Sequence, residues 1–217
     1  METQAEKLRS GLAKLGSEKL RWKLAEIAIE AVMIVFAVLV ALGFEEWREE
    51  RQLHSLADRA RVAVDLELQH NLTEFERAEA NLIDEQEKIA NALQELIEIQ
   101  RGTPDTSFID MGFTLGFPEV STAAWRVAQV SQAATYLDYD WLVERARQYD
   151  GLERYLDFQD QVIAAVGVVV ATADDEDMND AITALRQVYG RLNILLQLHA
   201  TLQEGMAGYL RESGRVR

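Results

Sequence analysis

No cysteine occurs anywhere in this chain. Disulfides, thiolate zinc sites, iron–sulfur clusters and a cysteine nucleophile are therefore excluded. A cysteine-free chain suits either side of a membrane. Proline is nearly as scarce: Pro104 and Pro118 are the only two, and they lie close together. Proline removes a backbone donor and clashes with the preceding turn, so its absence elsewhere leaves long stretches free to be helical. An excess of base is also lacking, with 22 Lys and Arg against 37 Asp and Glu and a net charge of −15. Such a chain repels phosphate, and nucleic acid is not an expected partner. What is present is apolar material: 48% of the 217 residues are hydrophobic. That supplies a core, excludes wholesale disorder and suits one domain plus an anchor.

Charge is distributed unevenly. Residues 1–23 carry six bases against three acids, 24–44 hold Glu26 and Glu30 with no base, and the remainder holds 16 bases against 32 acids. From Leu24 to Phe44 the chain reads LAEIAIEAVMIVFAVLVALGF. As a helix this stretch is about 31 Å long, close to the hydrocarbon thickness of a bilayer. Trp22 and Trp47 bracket it, as indole rings do at headgroup level. Lys19, Arg21 and Lys23 precede it, whereas Glu45, Glu46, Glu49 and Glu50 follow. The expectation is a retained transmembrane helix over 24–44, a basic cytoplasmic lead over 1–23 and an acidic exterior domain over 45–217. In a bacterium that exterior is the periplasm. Arg48 and Arg51 weaken the asymmetry.

Three alternatives compete. A cleaved signal peptide would use the small residues Ala41 and Gly43, but Glu30 and the long lead are unusual for one. A buried core helix would need only the uncharged run Ala31–Phe44. An interfacial helix would need a polar face, which that run lacks. Glu26 and Glu30 stand one turn apart on one face. Glu30 lies about 12 Å along the axis from Trp22, where ionisation is costly, so both are candidate contacts for a membrane partner. Earlier, Leu8, Leu12 and Leu15 recur among Lys7, Arg9, Lys14 and Lys19. They suit a short basic amphipathic helix on the inner leaflet, or a frayed tail, given Gly11 and Gly16.

The exterior part reads as all-α. Between Gly43 and Gly102 there is neither glycine nor proline. Leu53, Leu56, Ala60, Val64, Leu68, Leu72, Phe75, Leu82, Ile89, Leu93 and Leu96 form one stripe, interrupted at Glu79 and Gln86. A single helix running out of the membrane to about Gln100 is expected, packing with two or three further helices as a bundle. Residues 102–120 form an irregular loop whose Phe108, Phe113, Leu115 and Phe117 are too apolar for full solvation. Ser121 or Thr122 can cap a helix over 121–137, with Ala123, Ala124, Ala128 and Ser131 allowing close approach. Asp138 or Asp140 can start the next, with Leu142, Ala146, Tyr149, Leu156 and Ile163 inward. Its apolar end, residues 162–173, is too short to span a bilayer and reads as a buried helix end or short strand. After the acidic turn 174–177 a last helix presents Ile182, Leu185, Tyr189, Leu192, Leu196 and His199, flanked by Val188, Leu195, Leu202 and Tyr209.

Little in this pattern looks catalytic. His54, His70 and His199 are scattered: the first two read as solvated, the third as a residue at the core's edge, and none belongs to an HExxH-type pattern. Nucleotide-binding glycine motifs and GxSxG are missing. The acids from Asp174 to Asp180 lack the glycine and terminal glutamate of a calcium loop and read as a solvated helix start. The Glu-x-x-His motif of di-iron bundles is missing too. No metal, cofactor or catalytic residue is expected. Residues 124–142 concentrate aromatics around polar groups, making Trp125, Gln129, Gln132, Tyr136 and Trp141 a candidate interface or pocket. The competing reading is that these aromatics anchor the middle helices to the long one.

Glu26-Ile27 with Glu30, Val38-Leu39-Val40-Ala41-Leu42, and Glu46-Trp47 with Glu49, Glu50 and Arg51 resemble the opening of a broad group of uncharacterised bacterial single-pass membrane proteins. Ala124-Trp125 with Ala128 and Gln129 looks like their exterior domain. The resemblance covers roughly residues 20–155 and is specific at the anchor. It implies an inner-membrane location and no activity. The expected function is a non-enzymatic interaction or scaffold protein in contact with membrane lipid and with a protein partner or further copies of itself. The alternative is a ligand-sensing helical domain working with a partner subunit.

Overall fold

The computed structural model describes residues 3–102, 112–172 and 178–214; the side chains of 3–28, Ala31 and Thr172 fall outside the description. Every regular element among the described residues is a helix: α1 (Thr3–Gln100), α2 (Ala123–Val130), a 3-10 helix (Gln132–Tyr136), α3 (Tyr139–Thr172) and α4 (Met178–Glu212). The chain divides into two compact units, residues 1–54 and 55–217.

The first unit is helical from Thr3. Val32, Met33, Ile34, Val35 and Phe36 are consecutive, and each is between 58% and 67% exposed. Five adjacent helical positions cover more than a full turn, so apolar surface faces outward on every side. Val38, Leu39, Val40, Leu42 and Phe44 continue the pattern. The Phe44 and Trp47 rings lie 5.5 Å apart, and the Arg51 guanidinium sits 4.9 Å over Trp47. Among the described residues no helix is long and apolar enough to cross a membrane. Leu24–Ala28 and Ala31 of the expected span have side chains outside the described residues, as do Leu8, Leu12 and Leu15.

The second unit is a bundle built on the rest of α1. Partners on α3 rise in step with α1: Arg61 lies over Trp141, Tyr149 bonds Glu67, and Tyr155 packs on Phe75. Those two helices are parallel. On α4 the order reverses, with Tyr209 at Asp65, His199 at Phe75, Asn193 at Gln86 and Asn179 at Gln100. α3 and α4 approach closely, and a Cβ on Gly151 would lie 2.7 Å from Leu202 Cδ2.

The core stripe of α1 continues through its two expected interruptions. Ala78 fills the place beside Glu79, and the buried Glu85 the place beside Gln86. Leu56 is exposed, and Ala57 is buried instead. On α3 the inward face is Trp141, Arg145, Tyr149, Leu152, Tyr155, Val162, Ala165 and Val169. Of the residues expected there only Tyr149 is fully buried; Leu142, Ala146 and Leu156 are half-buried, and Ile163 is exposed. The face is turned because it passes through Arg145, which a hydrophobic pattern skips. The apolar end of α3 is helical to Thr172 and buries Val162, Ala165 and Val169 on one side. On α4, Val188, Leu195 and Leu202 are buried, whereas Tyr189 is exposed and Leu196 half-buried. Asp174–Asp177 lie outside the described residues.

The connection from α1 to α3 is an extended strap followed by α2. Between the levels of Glu85 and Asn71, α1 covers about 21 Å. The strap makes the same descent from Thr114 to Ser121, which seven residues can do only when extended, at about 3.3 Å each. An extended chain with no neighbouring strand must find other partners for its N–H groups. α1 supplies them: Thr114 N donates to Glu85 Oε1 (3.1 Å), Gly116 N to Asn81 Oδ1 (2.9 Å), Glu119 N to Glu74 Oε2 (3.2 Å) and Ser121 N to Asn71 Oδ1 (2.9 Å). Asn71 Nδ2 returns a bond to Ser121 O at 2.8 Å. Gly116 is required by the approach, since a Cβ there would lie 2.8 Å from Asn81 Oδ1.

The single helix expected over 121–137 is interrupted. α2 ends at Val130, Ser131 is extended (φ −79°, ψ 151°), and its hydroxyl bonds back to Ala128 O. A serine that satisfies its side chain on the preceding turn offers the backbone an exit from the helix.

A candidate functional site in the polar core

Glu67 lies on the buried face of α1 and is 8% exposed. Its carboxylate accepts from Ser121 Oγ (2.7 Å), Ala124 N (2.8 Å), Trp125 N (3.2 Å) and Tyr149 OH (2.7 Å). Two of these are free N–H groups in the first turn of α2, so Glu67 caps that helix from another element. The expected cap from Thr122 is not made, and Ser121 Oγ reaches Ala123 N only at 3.4 Å. Burial alone would raise the Glu67 pKa, but the bonds from Ser121, Ala124, Tyr149 and Trp125 bring it below the usual carboxylate value. The Tyr149 hydroxyl is pushed the other way, by burial and by its bond to Glu67.

Half a turn earlier, Asp65 is 2% exposed and accepts from Tyr209 OH at 2.6 Å. That hydroxyl accepts in turn from Trp141 Nε1 at 3.0 Å. Asp138 Oδ1 receives Trp141 N and caps α3, as expected. Trp125 stacks on Tyr149 at 5.1 Å and 9°, and meets Trp141 edge-on at 6.4 Å. Beneath lies Arg145, 1% exposed, its guanidinium carbon 3.3 Å from the centre of the Tyr209 ring. It donates to Gln148 Oε1 (2.6 Å) and pairs with Glu144 Oε2 (3.1 Å). Arg145 Nε and Gln148 Nε2 are buried with no partner among the described residues. Beside them a groove of about 420 Å³ opens between α3 and α4.

No family model, curated protein or solved structure matches the chain. Each oxygen of Glu67 already takes two donors, which leaves no free base there. Among the described residues no group of three or more His, Asp and Glu could hold a metal ion. Two buried carboxylates and one buried arginine instead join four elements, namely α1, α2, α3 and α4.

Of the residues singled out in the sequence, the fold brings Trp125 and Trp141 together and half-buries Tyr136 nearby in the chain. Gln129 and Gln132 are exposed and do not join the cluster. Glu30 is exposed, and the Glu26 side chain lies outside the described residues. Asp65, Glu67, Arg145, Gln148, Tyr149 and Tyr209 were not expected together. One signal could have found the arginine: Trp141, Arg145, Tyr149 and Leu152 share a helical face, so a charge stands in an apolar register.

His199 also departs from expectation. It is 1% exposed, inside the core, with Nε2 at 3.0 Å from Phe75 O and Nδ1 at 3.2 Å from Tyr155 OH. A carbonyl can only accept, so Nε2 carries the proton and Nδ1 accepts from the tyrosine. Burial holds its pKa below the ordinary histidine value. His54 and His70 are exposed.

Proposed function

We propose that this chain is a membrane-anchored, non-enzymatic interaction or scaffold protein, an accessory subunit of a membrane complex. In this reading residues 24–44 form the anchor, 1–23 face the cytoplasm and the acidic helical domain stands in the periplasm of a bacterium. One observation carries it: from Val32 to Phe36 apolar side chains are exposed around the whole helix. Water does not favour that surface, whereas lipid or a partner helix does. Trp47 at its end supports an interfacial position, and the basic residues before it support the orientation, against Arg48 and Arg51 on the other side. Glu26 and Glu30 are the residues through which the anchor would meet its partner or a second copy.

The test is extraction of the native complex in mild detergent, followed by mass spectrometry of everything attached. A fixed membrane partner or a homo-oligomer, lost in Glu30→Leu, supports the reading; a monomer arriving alone counts against it. A second reading, a ligand-sensing domain working with a partner subunit, is favoured by the groove beside Arg145.

A further inference from the structure

The groove between α3 and α4 combines three features that ordinary helix packing does not require. Just beneath its surface lie two donors closed to solvent, Arg145 Nε and Gln148 Nε2, without an acceptor among the described residues. Leaving a buried donor unpaired is costly, and here two stand side by side. Its wall on α4 includes Gly205 and Gly208, and nothing among the described residues lies within 4 Å of a Cβ built on either. Glycine weakens a helix interior, and no neighbour among the described residues explains its use. Finally, the rim carries Glu144, Glu204 and Glu212 against Arg147.

These features point to a single ligand chemistry. The two donors call for an acceptor, and Arg145 Nε beside the Gln148 carboxamide suits the two oxygens of a carboxylate once Gln148 turns aside. A purely anionic molecule would meet the acidic rim and the carboxylates of Asp65 and Glu67 nearby. A cationic group at the other end of the molecule removes that repulsion. We propose that this groove binds a zwitterion of amino-acid to dipeptide size, its carboxylate on Arg145 and Gln148 and its ammonium toward the glutamates of the rim. The half-buried Gln148 side chain is the part that turns to admit it. The volume of about 420 Å³ lies within the range of small-molecule sites.

The experiment uses the full chain in a neutral detergent and follows its thermal midpoint with each of the twenty free L-amino acids and with alanyl-alanine. At least one probe should raise the midpoint by about 3 °C or more at saturation. Gly205→Leu fills the groove without touching the core; it should fold at least as stably and lose the response. Arg145→Lys should weaken binding by at least about tenfold, because the Nε donor is lost. The proposal is overturned if no probe shifts the wild type, or if the shift survives in Gly205→Leu. It is equally overturned if Gly205→Leu changes the number of copies in the particle and nothing else, since the groove would then be a protein interface. None of these results bears on the anchor, which is read by extraction rather than by ligand response.

Discussion

The stretch from Ile29 to Phe44 and the bundle from Ser55 onward place opposite kinds of side chain where water would not have them. In the first, apolar side chains face outward on all sides. In the second, Asp65, Glu67, Asn71, Glu85, Arg145 and His199 are turned inward. Buried polar groups of the bundle are met largely within the chain: Glu67 by four donors, Asn71 by the strap, His199 by a carbonyl and a phenol. The exposed apolar helix shows no such contacts among the described residues. One region is explained by its own contacts, and the proposed anchor rests on the other.

The comparison breaks first at Glu67. Replacing it by alanine leaves two hydroxyls and two backbone N–H groups of a buried site without an acceptor. Glu67→Ala is expected to cost about 3 kcal/mol, read as a shift of the urea midpoint followed by the fluorescence of buried Trp125 and Trp141. Glu76→Ala, on the exposed side of α1, should stay within about 0.5 kcal/mol. Equal effects would show that the polar core is incidental.

Next comes the close pair of helices. Gly151→Ala drives a Cβ against Leu202 Cδ2; a clash of about 2 kcal/mol, offset by about 1 kcal/mol of helix propensity, gives an expected net loss of about 1 kcal/mol. A smaller effect should come from acid. Because burial depresses the His199 pKa in the folded chain, the unfolded chain takes up the proton first, at about its ordinary value of 6.5. Its contribution is complete above that pH and is lost as the pH falls toward the folded value. His199→Gln should flatten the stability profile on the acid side of the ordinary histidine value, and an unchanged profile would contradict the assignment. The smallest effect is a gain. Gly190 has open space where a Cβ would sit, and Gly190→Ala should add about 0.5–1 kcal/mol by helix propensity alone.

Much of this fold is legible in the order of residues. The stop of α1 at Gln100 and the start of α3 after Asp138 follow from glycine, proline and caps, and the inward places of Ile182, Leu185 and Leu192 on α4 from the apolar period. The strap is not legible, because its pattern is carried by polar residues on another element. Glu67, Asn71, Glu74, Asn81 and Glu85 recur at steps of three, four and seven, which looks like a solvated face until the returning chain is laid on it. The same blindness hid the site. Arg145 and Asp65 are charges on buried helix faces, and the Tyr209 phenol accounts for their place inside. Gln129 and Gln132 drew attention through their neighbours and stay in solvent.

The most direct measurement is alkaline carbonate extraction of cell membranes carrying the full chain or Val35→Arg/Val38→Arg. Two central arginines cost about 5–7 kcal/mol in a membrane-spanning helix. The wild type should remain in the pellet and leave it only with detergent, while the double variant should appear in the soluble fraction with its bundle intact by circular dichroism. A wild-type chain that stays in solution without detergent would contradict the anchor, and with it the proposed role at a membrane.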